Sequence, residues 1–322
     1  MKRFLATLVA LASASLLLLP LCGCGSNLSR YEAVYTDLFD TDCTFTAYCS
    51  SDEEFETVSE AVYNELSRLD SLFDIYDGGE GSLKDLNDNK TLENASDDIL
   101  ELLDIGVLFY DLSGGKLNIA MGSVLSLWHD ARETGILPDD SELTEASLHC
   151  DIANLEIDGS TVTISDPEMT IDVGSIAKGY AADKAAEIAG SYGLTSFALD
   201  LGGNVKTVGE KPTGKWVIGI QDPDGGILKT VEVADQSVVT SGDYERYTVI
   251  DGVSYSHIID PDTLYPADNY RSVTVICESS SLGDALSTSL FCMSVEDGKA
   301  LAEEFGVEVL WVYEDGAVES NA

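Results

Sequence analysis

Tyr247-Thr-Val-Ile-Asp-Gly-Val-Ser-Tyr-Ser-His-Ile-Ile259 reads as two short strands folded back on each other through Asp251-Gly252. Asp-Gly suits the tight turn that follows the natural twist of a strand pair, because that turn needs positive φ at both central residues. A hairpin commits its strands to antiparallel pairing, whereas parallel strands need a long crossover. Strand signals at Trp216–Ile220 and Thr230–Val233 precede the hairpin, and Arg271–Cys277 follows it. Helical patterns then run over Gly283–Met293 and Val295–Phe305, before a closing strand at Glu308–Tyr313. Runs of hairpins beside runs of helices indicate an α+β fold of mixed, largely antiparallel sheets with packed helices. A doubly wound parallel sheet is excluded on the same ground.

Toward the N-terminus, Tyr31 to Cys49 is rich in Thr, Tyr, Phe and Val and reads as strands. Phe55, Val58, Val62, Leu66, Leu69 and Leu72 fall three or four apart, the spacing of one helix face. Asp77-Gly-Gly-Glu-Gly81 breaks that helix, and a second runs from about Asp97, read as its N-cap, to Leu112. Thr161–Ile164 and Met169–Val173 read as strands, Ser175–Ser191 as a helix, and Thr195–Leu201 as a strand ending in Gly202-Gly203. No repeat or linker interrupts residues 31–322, which are read as one domain.

The start of the chain is an address. Lys2 and Arg3 precede an apolar run from Phe4 to Leu21, the pattern of a secretory signal. It ends in Leu21-Cys22-Gly23-Cys24, similar to the lipobox at which bacterial lipoproteins are cut and acylated. Residues 1–23 are thus expected to be a signal peptide, Cys24 the lipidation site, and residues 24–30 a tether. The expected location is the outer face of a bacterial cell membrane, held by the lipid. Five further cysteines (Cys43, Cys49, Cys150, Cys277 and Cys292) include no Cys-x-x-Cys pair, and the three histidines are too scattered for a zinc site.

Charge narrows the function. The chain carries 58 Asp plus Glu against 17 Lys plus Arg, a net −41. Such a surface repels phosphate backbones, so nucleic acid is excluded as a partner. Any anionic ligand must therefore be met by a local cation.

The stretch Ile171-Asp-Val-Gly-Ser-Ile-Ala-Lys-Gly-Tyr-Ala-Ala-Asp183 supplies one. A strand ends in an acid, turns on Gly174 and enters a helix, whose free N–H groups favour an anion, with Lys178 one turn in. It is not a P-loop, since the Lys precedes the second Gly and no Ser or Thr follows. Taken alone, an ordinary helix start with a surface lysine explains it equally well. Asp200-Leu-Gly-Gly-Asn204 is either a close backbone approach to a ligand or an ordinary turn. Ser241-Gly-Asp-Tyr-Glu-Arg246 reads as a polar turn, and Ser256-His-Ile-Ile-Asp-Pro261 places His257 at a strand end. In Gly283-Asp-Ala-Leu-Ser-Thr-Ser289, Asp284 and Thr288 share a helical face at i, i+4. That pair is either an N-cap with a polar neighbour or two oxygen ligands for a hard cation such as Mg²⁺.

Taken in order, these segments together with Asn118-Ile-Ala-Met-Gly-Ser123 resemble the FAD:protein FMN transferase (ApbE-like) family. The resemblance covers roughly Tyr31 to the C-terminus, and the lipoprotein start fits it. It implies that Asp172, Lys178, Tyr76 and the backbone of Ala120, Met121 and Gly122 bind FAD. It implies Mg²⁺ on Asp284, Thr288 and the Ser175 carbonyl, and His257 beside the pyrophosphate. The implied reaction is Mg²⁺-dependent transfer of FMN from FAD to a threonine hydroxyl of an acceptor redox protein, with release of AMP. The acceptors implied are subunits of Rnf-type complexes or of sodium-pumping NADH:quinone reductase. One departure is Thr263-Leu-Tyr-Pro266, where many members have Thr-Gly-Tyr-Pro, and it bears on the conformation of that loop. The alternatives are a metal-dependent FAD pyrophosphatase giving FMN and AMP, and a flavin-binding lipoprotein without turnover.

Overall fold

The computed structural model describes residues 28–321; the leader (1–23) and Cys24 lie outside the described residues. β1 (Ser29–Leu38) pairs with β2 (Thr41–Cys49), starting two residues inside the segment read as a tether. In β2 every second residue, Cys43, Phe45, Ala47 and Cys49, faces the core, as the two-residue strand period requires. Cys43 and Cys49 therefore share a face six residues apart, and both are free thiols.

Ser51 caps α1 (Asp52–Phe73) by accepting from the Glu54 N–H, and the expected stripe of Phe55, Val58, Val62, Leu66 and Leu69 is buried. After the glycine-rich break comes α2 (Leu83–Asn89), a helix too short to show a period, then β3 (Thr91–Leu92). α3 (Asp97–Leu112) is capped by Ser96, not by Asp97, which occupies the first helical position. α4 (Gly122–Thr134) and α5 (Asp140–Ser147) follow, then β4 (Leu155–Asp158), β5 (Thr161–Ile164) and α6 (Ala177–Ser191).

β6 (Phe197–Leu201) and β7 (Asn204–Val208) form a hairpin through Gly202 and Gly203, both at positive φ. The ordinary-turn reading of these glycines is thus the right one. β8 (Trp216–Gln221) pairs with β9 (Ile227–Val233), and β10 (Ser237–Gly242) takes in Ser241, which the sequence reading had placed in a turn. β11 (Tyr247–Ile250) and β12 (Val253–Ser256) are the expected hairpin about Asp251-Gly252. β13 (Ser272–Cys277), α7 (Ser280–Phe291), α8 (Val295–Phe305), β14 (Glu308–Val312) and β15 (Val318–Ser320) complete the described chain.

The main sheet has eight strands in the order β1-β2-β6-β7-β10-β13-β14-β15, and every neighbouring pair is antiparallel. The α+β expectation is met. α6 packs against both α1 and α7, and all three pack against this sheet, with Phe45, Phe197, Leu66, Phe291 and Trp311 buried.

One expected strand is absent. Met169–Val173 joins no sheet, because a side chain takes the place of a neighbouring strand. Asn87 of α2 accepts from the Ile171 N–H (2.7 Å) and donates to the Ile171 carbonyl (2.9 Å). Asp172 N–H donates to the Ile119 carbonyl (2.8 Å) and Gly122 N–H to the Thr170 carbonyl (3.1 Å). The segment's backbone is satisfied without a ladder, and Asp172 is held at the edge of a cavity.

Candidate active site

A cavity of about 840 Å³ opens between the β1–β2 turn, the end of α1, α4, the start of α6, α7 and the β11–β12 hairpin. Tyr76, Met121, Asp172 and Lys178 line it, as do Ser175, His257, Asp284 and Thr288. Residues up to 212 positions apart in the chain thus converge on one space. Ala120 and Gly122 flank Met121 but are buried away from the wall. A Cβ at Gly122 would lie 2.4 Å from Thr170 Oγ1, so the start of α4 sits tightly on the segment that carries Asp172.

The oxygen donors gather where α6 meets α7. Asp183 of α6 caps α7, accepting from the N–H groups of Ser280 (3.0 Å) and Ser281 (2.9 Å), and it pairs with Lys206 (3.1 Å). Asp284, one turn on, accepts from the Gly179 N–H (2.7 Å). Thr288 Oγ1 donates to the Ser175 carbonyl (3.4 Å) and lies 3.3 Å from Ser241 Oγ. Burial pushes the Asp284 carboxyl above its ordinary range, with Lys178 and the Gly179 N–H opposing the rise. The donor set is one carboxylate, one hydroxyl and one carbonyl, all hard oxygens. It suits Mg²⁺ and not a soft metal. Among the described residues no group of three His, Cys, Asp or Glu side chains is placed to hold a metal.

His257 follows β12, and its ring is fixed by the backbone. Nδ1 lies 3.0 Å from the Arg246 carbonyl, which can only accept, so Nδ1 carries the proton and Nε2 keeps a free lone pair. Burial pushes the imidazole pKa down to about 3, and the cationic Lys178 and Arg246 add to the effect. The ring is neutral at physiological pH, in the tautomer that accepts a proton at Nε2.

Besides Lys178, three cations not singled out from the sequence face the cavity: Lys116, Arg132 and Arg246. Arg132, on α4, and Lys178 make no ion pair among the described residues, although the chain has more than three acids for each base. Arg246 donates to the carbonyls of Phe39 (2.7 Å) and Asp40 (3.3 Å), two residues held at positive φ in the β1–β2 turn. Lys116 is paired with Asp260 (2.8 Å) and Asp262 (2.9 Å). Three cations without an acidic partner among the described residues, Arg132, Lys178 and Arg246, in the cavity of so acidic a protein mark it as an anion site. Helical spacing was the available clue to Arg132, which lies four residues from Trp128 on α4; both line the cavity.

At the far wall Tyr76 stands half-exposed, its hydroxyl 3.0 Å from His129 Nδ1 and its ring 5.1 Å from the imidazole. Burial pushes the neighbouring Asp172 carboxyl up, while the Gly174 N–H (2.8 Å) and Arg132 oppose the rise. An aromatic ring, a half-buried acid and a cation thus lie together in the cavity wall, which the metal-type donors also line.

The comparisons agree with the geometry. The ApbE family model matches residues 39–311, which hold every cavity-lining residue named above. The chain belongs to the ApbE family. It is 37% identical over 242 residues to a FAD:protein FMN transferase of Treponema pallidum, covering 69% of this chain and 67% of that one. A FAD:protein FMN transferase of Klebsiella pneumoniae is 30% identical, with 80% and 82% covered. Among solved structures, the ApbE protein of Thermotoga maritima superposes with a TM-score of 0.81 at 34% identity, covering 90% of this chain and 96% of that one. The flavin transferase ApbE of Vibrio cholerae superposes at 0.80 with 28% identity, covering 92% and 97%.

Leu264 lies in the loop after Asp260-Pro261 that also borders α4. Leu264 adopts φ +63, the left-handed region that glycine occupies at no steric cost. The loop is held there because the Leu264 carbonyl accepts from Trp128 Nε1 (2.8 Å) and its N–H donates to the Asp260 carbonyl (2.8 Å).

Proposed function

We propose that this chain transfers FMN from FAD to a threonine hydroxyl of an acceptor protein and releases AMP. The threonine oxygen forms a bond to the FMN phosphorus, the pyrophosphate bond to AMP breaks, and the hydroxyl proton passes to His257 Nε2. The observation that carries this reading is the meeting of a neutral, correctly tautomeric histidine with unpaired cations and hard oxygen donors in one cavity. A threonine hydroxyl is a poor nucleophile at neutral pH, and a positioned base contributes on the order of 10²–10⁴ in rate.

Asp284, Thr288 and the Ser175 carbonyl would hold Mg²⁺, which when bound supplies Lewis-acid stabilisation of phosphate charge. Lys178 meets the diphosphate from the start of α6 with its side-chain charge, because the N–H groups expected to favour an anion there are already taken: those of Ile176 and Ala177 by the Val173 carbonyl and that of Gly179 by Asp284. Tyr76 and Asp172 hold the flavin ring beside Met121. The acceptor is read as a membrane redox subunit, of the Rnf or sodium-pumping NADH:quinone reductase kind. Acylation at Cys24 would keep the enzyme on the outer face of the membrane beside it.

The test uses the chain without its leader and Cys24, with FAD, Mg²⁺ and a threonine-bearing acceptor domain. A fluorescent acceptor band on a denaturing gel, dependent on Mg²⁺ and lost in Asp284→Ala, is expected. FMN and AMP free in solution, with no labelled acceptor, would replace the transferase by a pyrophosphatase. FAD bound and intact would leave a flavin-binding protein.

A further inference from the structure

The Asp200-Leu-Gly-Gly-Asn204 stretch has no place in the reading above, because its glycines make a hairpin turn and do not line the cavity. That turn delivers Asn204 to the first position of β7, where the residue is only 2% exposed. Its Oδ1 accepts from Ser280 Oγ, in the first turn of α7. Asp284 lies one turn further along the same helix.

We propose that Asn204 is a positioning residue for Asp284, holding the carboxylate in the orientation in which it takes the metal. The inference rests on the metal reading above. The amide has two orientations, and only one is electrostatically consistent. A carboxylate accepts and never donates, so turning Oδ1 toward Asp284 would set acceptor against acceptor. With Ser280 Oγ on Oδ1, the Nδ2 group points the other way. Nδ2 is buried with no hydrogen-bond partner, and the carboxylate beside it is that of Asp284. Buried polar groups that reach no other partner act on the nearest complementary charge. Gly179 N–H holds the same carboxylate from α6. Asp284 therefore has a bonded donor from α6 and an unpartnered donor from β7 beside it, while α7 carries it.

Groups in such an outer shell orient a ligand without touching the metal, and their loss typically costs about 10- to 100-fold in metal affinity. The readout is Mn²⁺ binding to the protein alone, followed by electron paramagnetic resonance, in wild type, Asn204→Leu and Ser280→Ala. Asn204→Leu keeps the volume and removes the donor. Ser280→Ala leaves Asn204 in place but frees its amide to turn. Asn204→Leu is expected to weaken Mn²⁺ by at least about tenfold, and Ser280→Ala by less. In turnover, the Mg²⁺ concentration for half-maximal rate should rise while the rate at saturating Mg²⁺ recovers, a signature that general misfolding does not give.

Mn²⁺ affinity within about twofold of wild type in a folded Asn204→Leu protein overturns the proposal. Should that variant fail to fold, Ser280→Ala decides, and an unchanged affinity there overturns it equally. Wild type that binds Mn²⁺ but transfers no flavin would sink the transferase reading and leave the Asn204 role standing if the variants behave as stated. Wild type that binds no Mn²⁺ would sink both.

Discussion

Gly179 and Asp284 touch more closely than any other residue at position 179 would allow. The Gly179 N–H donates to Asp284 Oδ2 at 2.7 Å, and a Cβ on Gly179 would stand 2.6 Å from Asp284 Cβ and 2.4 Å from the Ser280 carbonyl oxygen. Helices α6 and α7 are thus in backbone contact at the point where the first carries Lys178 and the second carries Asp284. The glycine is required by that approach and not by its φ. The cation and the carboxylate of the site are placed by one helix crossing.

Gly179→Ala should therefore separate the two helices. Neither atom in the way is the end of a flexible side chain, so the backbone has to move, and overpacking of this kind costs about 1–3 kcal/mol. Chemical denaturation should show that loss, and the Mg²⁺ concentration needed for turnover should rise with it. An alanine variant of wild-type stability and unchanged Mg²⁺ dependence would mean that the crossing does not set the site.

His257→Gln keeps a polar side chain of similar reach but cannot take up a proton. Turnover should fall by about 10²–10⁴ while FAD affinity changes little, because the residue acts on the hydroxyl and not on cofactor binding. The pH profile carries a second check. The neutral ring is the active form, and its pKa in the free protein is pushed down to about 3. The kcat/KM profile of wild type should then show no acid limb near the usual histidine value, with any loss from ring protonation confined to strongly acid pH. A limb near pH 6.5 that disappears in His257→Gln would contradict the burial argument.

The antiparallel fold was legible because its hairpin turns are written locally, in Asp251-Gly252 and Gly202-Gly203, and its long helices in the spacing of residues such as Phe55, Val58 and Val62. Met169–Val173 misled because an extended, apolar segment looks the same whether a strand or the Asn87 side chain satisfies it. The short α2 and α5 have too few turns to show a period. Of the site, Lys178, His257, Asp284 and Thr288 stood out in the sequence only as a set, since each local pattern alone had an ordinary explanation and the resemblance supplied their roles; all four line the cavity. Arg132 did not stand out. Its meaning depends on having no acidic partner in a chain full of acids, which only the folded arrangement reveals.

Arg132 and Lys178 should be separable by ligand. Lys178→Ala is expected to weaken both FAD and ADP, by about tenfold or more, because a buried charge-assisted contact to phosphate is lost. Arg132→Ala, beside Tyr76 and Asp172, should weaken FAD and riboflavin but leave ADP nearly unchanged. Titration calorimetry with the three ligands distinguishes the two effects. Equal losses for ADP in both variants would show that Arg132 acts on the diphosphate and not on the ring.

Away from the cavity, His149 and Asp166 link the end of α5 to the segment leading into Asp172. His149 Nδ1 lies 2.9 Å from Asp166 Oδ2, and its Nε2 lies 3.6 Å from Glu168. The pairing raises the His149 pKa, chiefly through the Asp166 hydrogen bond, and lowers that of Asp166, through the Glu168 N–H and then His149. The two shifts have opposite signs in pH. The histidine's contribution is complete below its unfolded pKa, about 6.5, and fades as pH rises through the folded value; the aspartate's is complete above about 3.9 and fades on acidification. The pair therefore contributes most between these limits. His149→Ala should lower the melting temperature near pH 5 more than near pH 8, and melting curves across that range test it. An equal drop at both ends would assign His149 a packing role instead of an ionic one.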